Sequence, residues 1–154
     1  MKHESVPPIP PERERRIIAE LDAEPFIARV GVRCEEIRVD YARLRLASRP
    51  ELRQGAGVVH GGAIATLLDT AVVGAIRSVY DERPRRLATI DLHLHYLDAV
   101  ADEDVIAEAR VRRRGRSIVF VAIDARTPAG REIAHAEGSY RISIDVADGA
   151  PSSG

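Results

Sequence analysis

Between positions 61 and 76 the chain reads GGAIATLLDTAVVGAI, and its only polar side chains are Thr66, Asp69 and Thr70. A helix this apolar has no face suited to water and must be wrapped by other structure, so it is expected to form the core. The run is too short to cross a bilayer, and a carboxylate interrupts it. Elsewhere the periods differ. Residues 12–23 put Ile17, Ile18 and Leu21 on one side and charges on the others, which predicts a short surface helix begun at Pro11 and ended by Pro25. Residues 28–40 and 41–48 alternate in part and read as strands, with Tyr41, Leu44 and Leu46 among the buried positions. Residues 87–97 alternate well, with Ile90, Leu92, Leu94 and Tyr96 on one face and Thr89, Asp91, His93 and His95 on the other. Residues 105–114 and 117–126 flank Gly115 as a hairpin, and the turn at 127–130 leads into a strand over 132–145. The order predicts an α+β fold: an antiparallel sheet of five or six strands curled around one long central helix.

A length of 154 residues suits one domain, expected over 25–146, preceded by a mobile lead and short helix over 1–24 and followed by a frayed tail over 147–154. The lead contains Pro7-Pro-Ile-Pro-Pro11, which cannot sit inside a helix. A net charge of −1 argues against broad attraction to nucleic acid or an anionic membrane. No apolar run of signal-peptide type opens the chain, and a single cysteine, Cys34, excludes an intrachain disulfide, so a cytoplasmic setting is expected. Cys34 itself reads as structural.

The question the pattern raises is why a buried helix carries Asp69. An ionised carboxylate costs several kcal/mol to desolvate unless partners or water compensate. Thr66 shares its face one turn earlier, so the two make a polar stripe that must line something wet. At the helix start near Gly61, free backbone N–H groups and the dipole offer partial positive charge, and glycine lets a ligand oxygen approach. Eight residues of helix separate Gly61 from Asp69 by about 12 Å, too far for one carbonyl to touch both. If they act together, a second copy of the helix must run antiparallel beside the first, which argues for a twofold dimer with shared sites.

Gln54, then His60-Gly61-Gly62, then Leu67-Leu-Asp-Thr-Ala71 resembles the signature of hotdog-fold acyl-CoA thioesterases of the phenylacetic-acid-degradation type. Residues 89–96, 113–120 and 138–140 resemble later strands of the same family, and the likeness spans about 27–144. The resemblance implies hydrolysis of an aryl or short- to medium-chain acyl-CoA to free acid and coenzyme A, with no metal or redox cofactor and with coenzyme A entering as part of the substrate. It implies that Asp69 activates water or attacks the thioester, that the Gly61 amide stabilises the oxyanion, that Gln54 helps hold the thioester or water, and that Thr89 supports the acid or the water. The alternation places Thr89 away from the core face, so it reaches the site only if the strand bends or that face reaches the dimer cleft. A homodimer at least is expected, with a tetramer as a pair of dimers.

Each residue has a plainer reading beside it. Asp69 could be paired to an arginine or a helix terminus for structure alone, Gln54 could simply bond the turn, and Gly62 could serve close helix approach. His60 is read first as a helix cap and second as an acid–base group. Arg113, Arg114 and Arg116 around Gly115, with Arg112, suit the phosphates of coenzyme A, against a merely solvated hairpin tip. Asp91, His93 and His95 stand in a row on one strand, which is not the triangle a metal needs. Three other classes are weighed: a hotdog enoyl-CoA hydratase or dehydratase, a noncatalytic acyl-CoA-binding protein, and a plain structural subunit, which would leave Asp69 and Gln54 without a reason.

Overall fold

The computed structural model describes residues 6–84 and 86–143. The elements run α1 (Pro11–Ala23), α2 (Pro25–Val30), β1 (Val32–Arg38), β2 (Tyr41–Leu46), α3 (Gly61–Arg77), β3 (Arg86–Tyr96), β4 (Val105–Arg114), β5 (Ile118–Arg126) and β6 (Glu132–Ser143). The six strands form one antiparallel sheet in the order β1-β2-β4-β5-β6-β3. Helix α3 packs against β1, β2, β4 and β5, which is the expected hotdog arrangement of a sheet curled around a central helix. Leu67, Leu68, Ala71, Val72, Ala75 and Ile76 are fully buried against Leu44, Leu46, Ala107, Ala109, Val121 and Ile123 from the strands. The helix sits close to the sheet at Gly74, where an added Cβ would stand 2.9 Å from Ile37 Cδ1 and 3.0 Å from Ala42 Cβ. The side of α3 that carries Gly62, Thr66, Asp69 and Val73 is left partly open.

Two expectations about the first 40 residues change. Residues 28–30 belong to α2 rather than to the first strand. Pro25 both ends α1 and opens α2 at a position where a missing N–H costs nothing, and Gly31, at φ 86°, closes it in the left-handed conformation. The proline lead is tied down over the residues described: Pro8 bridges Arg38, Val39 N–H donates to Pro7 O at 3.0 Å, and Ile9 is buried. That contact and α1, through Ile17 and Leu21, cover the β1 side of the sheet. The predicted tail over 147–154 lies outside the described residues. Among the described residues no helix is long and apolar enough to cross a membrane.

Strand β3 differs from simple alternation in one place. Thr89 pairs with Tyr140 and Asp91 with Ser139, so Ile90 is an extra residue without a ladder partner. The bulge reverses parity along the strand. Thr89 therefore shares the helix-side face with Leu92 and Leu94, which pair with Gly138 and the buried Ala136, while Asp91, His93 and His95 face outward.

Candidate active site

The site is built where α3, β3 and β6 meet. Asp69 lies in the middle of the helix, and two hydroxyls reach the same carboxylate oxygen: Thr89 Oγ1 donates to Oδ1 at 3.0 Å and Tyr140 OH donates to it at 2.7 Å. Among the described residues no cation pairs with Asp69, and its Oδ2 has no hydrogen-bond partner. The reading of Asp69 as one half of a structural ion pair therefore finds no partner there. Asp69 lines a cavity of about 400 Å³ together with Thr70 and Val73 from α3, Leu21 and Ile27 from the N-terminal helices, and Leu87 from β3. Arg77 is buried at one wall and paired with Glu20.

Tyr140 is fully buried, and its phenol is pushed upward by burial first and then by the hydrogen bond to, and charge of, Asp69. It stays neutral, and so remains a donor. The family-like stretch at 138–140 contained this tyrosine, yet no periodicity or spacing gave it a role. The signal available was its cross-strand pairing with Thr89, which only the register reveals.

The other end of α3 holds the second half of the expected constellation. His60 is the N-cap, and its Nδ1 accepts from Gly62 N–H at 2.9 Å, so the ring caps the helix with its proton on Nε2. Gly61 N–H has no acceptor among the described residues, as expected for a first-turn donor. Tyr96, at the far end of β3, donates to Gly61 O at 2.8 Å and fixes the mouth of the helix. Gln54 is exposed in a turn where its backbone, not its side chain, makes the bonds: Gln54 N–H donates to Val58 O and its carbonyl accepts from Gly57 N–H, both at 2.9 Å. Thr66 Oγ1 donates back to Gly62 O at 2.9 Å, and the residue is half-buried on the open side of α3. Within one chain the structure thus gathers Asp69 and Thr89, and separately gathers Gly61, Gly62 and His60.

The arginines divide. Arg114 is taken up by the fold: its guanidinium donates to Asp40, to Ile76 O at 3.2 Å and to Tyr80 OH at 2.9 Å, and lies 5.2 Å from the Tyr80 ring. It neutralises the C-terminal end of α3, so its expected place on a phosphate is corrected to a structural one. Arg112, Arg113 and Arg116 are exposed. Gly115 makes the hairpin turn through its N–H to Ile118 O at 2.8 Å, and a Cβ there would strike that same oxygen. On the outer face Asp91 accepts from Ser139 N–H at 3.2 Å and from the Ser139 hydroxyl, and His93 Nε2 stands 4.0 Å away. No group of three metal-ligating side chains is gathered among the described residues.

Comparison with known proteins agrees with this architecture. The model of the thioesterase superfamily matches residues 56–134. A provisionally named esterase of Halobacterium salinarum is 36% identical over 135 residues, covering 81% of this chain and 89% of its own. The medium/long-chain acyl-CoA thioesterase YigI of Escherichia coli is 25% identical over 132 residues, covering 77% and 85%. Among solved structures, a conserved Pseudomonas aeruginosa protein superposes with a TM-score of 0.74 at 28% identity, covering 80% of this chain and 97% of that one. The PaaI protein of the Escherichia coli phenylacetic acid degradation operon shares the fold at a TM-score of 0.73 and 18% identity, covering 80% and 88%. The chain has the hotdog fold and belongs to the thioesterase superfamily, a family of hydrolases acting on thioester bonds.

Proposed function

We propose that this protein hydrolyses an aryl or short- to medium-chain acyl-coenzyme A to the free acid and coenzyme A in the cytoplasm, with Asp69 as the reacting acid. The observation that carries the reading is a carboxylate that pairs with no cation among the described residues, is held by neutral hydroxyls and opens on a cavity. As general base, Asp69 takes a proton from water while the water oxygen adds to the thioester carbonyl. The tetrahedral intermediate then expels the thiolate, which receives a proton. As nucleophile, Asp69 instead adds to the carbonyl and expels the thiolate, which receives a proton, and the anhydride so formed is cleaved by water. General base catalysis supplies roughly 10²–10⁴ in rate, and a backbone oxyanion donor adds about 3 kcal/mol.

The oxyanion donor in this reading is Gly61 N–H of a partner subunit, because Gly61 of the same helix is too far along its axis. The open edge of the sheet supports the dimer. Strand β3 is 11 residues long, pairs among the described residues only with β6, and bears the exposed Ile90 and Tyr96, whereas the opposite edge strand is covered. A long uncovered edge is a template for another strand, and twofold pairing there lays two α3 helices side by side. Gln54 and Thr66 then face the scissile group, and Arg113 and Arg116 serve the coenzyme A phosphates.

A thiol-release assay over aryl, short-chain and long-chain acyl-CoAs tests the reading. Multiple turnovers largely abolished by Asp69→Ala support it. Stoichiometric binding without thiol release would replace it with a noncatalytic binder, and hydration of an enoyl-CoA would replace it with a hydratase.

A further inference from the structure

We infer that Tyr140 is a positioning residue which, together with Thr89, holds Oδ1 of Asp69 and thereby selects Oδ2 as the oxygen that meets water or substrate. The inference rests on the thioesterase reading for its chemistry and on the geometry for its atoms. Both hydroxyls donate to one oxygen, at 2.7 and 3.0 Å, and none of the described residues donates to the other. A carboxylate turns about its Cβ–Cγ bond with little resistance, since that torsion is broad and roughly twofold. Two donors arriving from two neighbouring strands remove that freedom. Thr89 and Tyr140 are direct cross-strand partners, so their spacing is set by the β3–β6 ladder and not by loop geometry.

Tyr140 is fully buried and does not line the cavity, so it acts through Asp69 rather than by touching substrate. A base must hold one lone pair on the reacting atom, and an oxygen already accepting two hydrogen bonds is the poorer candidate. The oxygen without donors keeps its basicity and its room. The arrangement is thus asymmetric by construction: one oxygen for anchoring, one for chemistry.

The test is Tyr140→Phe, which keeps the ring and its packing and removes only the hydroxyl; a thermal midpoint close to that of the wild type checks that the fold is kept. The expected result is a kcat lower by about 10- to 100-fold, the scale of a hydrogen bond to a charged group, with KM within about threefold. Crystal structures of the wild type and Y140F are compared alongside, and the Asp69 carboxylate is expected to be rotated or split between two orientations in Y140F. A kcat equal to that of the wild type, or a carboxylate plane unchanged in Y140F, overturns the inference. Failure of the wild type itself to release thiol from any acyl-CoA sinks the thioesterase reading instead, and the crystallographic comparison still decides whether Tyr140 orients Asp69.

Discussion

Thr89 donates to Oδ1 of Asp69 at 3.0 Å, and the contact exists because Ile90 is an extra residue in β3. Strict alternation would put Thr89 beside Asp91 on the outer face. The bulge reverses that parity and turns the hydroxyl toward α3. Thr89→Ala is expected to lower kcat about tenfold with little change in KM, and Thr89→Ser to stay within a few-fold of the wild type, because serine keeps the donor at the same place. Steady-state kinetics on both variants checks this; equal losses in both would remove the hydroxyl from the account.

Arg114 and its neighbours should separate by their effects. Arg114→Ala removes the cation that binds Asp40, Tyr80 OH and the Ile76 carbonyl, so it is expected to cost about 1–2 kcal/mol of stability and to leave KM nearly unchanged. Arg113→Ala and Arg116→Ala are expected to keep the thermal midpoint and to raise KM for acyl-CoA a few-fold, more at low salt than at high. Denaturant titration and a salt series of KM distinguish the two groups.

How much of this was legible beforehand follows from which interactions are local. Helix α3, the β4–β5 hairpin and the face that carries Leu92 and Leu94 are set by periods of a few residues and by glycine turns, and they stand where the pattern put them. Asp69 stood out because charge in an apolar helix is costly. Pro25 was read as an end alone, although Pro25 and Gly31 together bracket a helix of six residues. The Ile90 bulge, the pairing of Tyr140 with Thr89 and the seat of Arg114 depend on strand register between segments far apart in sequence, and no short window carries that information.

Cys34 gives a prediction in pH. Burial, then the charge of Asp22, pushes its thiol up from 9.0 to about 12. The neutral thiol is the form the fold favours, so its contribution to stability is complete below about pH 9 and is lost as pH rises toward about 12. Alkylation at pH 8 is expected to be slow in the native protein and fast in denaturant, and Cys34→Ala should leave activity intact. Rapid native labelling would contradict the buried placement.

The shared site is the claim on which the rest depends, and co-expression of two crippled subunits tests it most directly. Asp69→Ala removes the acid. Gly61→Pro removes the N–H at the first helical position, where proline is tolerated, and the ring it meets belongs to the exposed Tyr96, which can shift. Each variant alone is expected to lose at least about 10²-fold in kcat. In the mixed dimer one site joins the intact Asp69 of one chain to the intact Gly61 amide of the other, so thiol release should return to about half the wild-type rate per dimer. A mixed dimer as inactive as its parents would contradict the account.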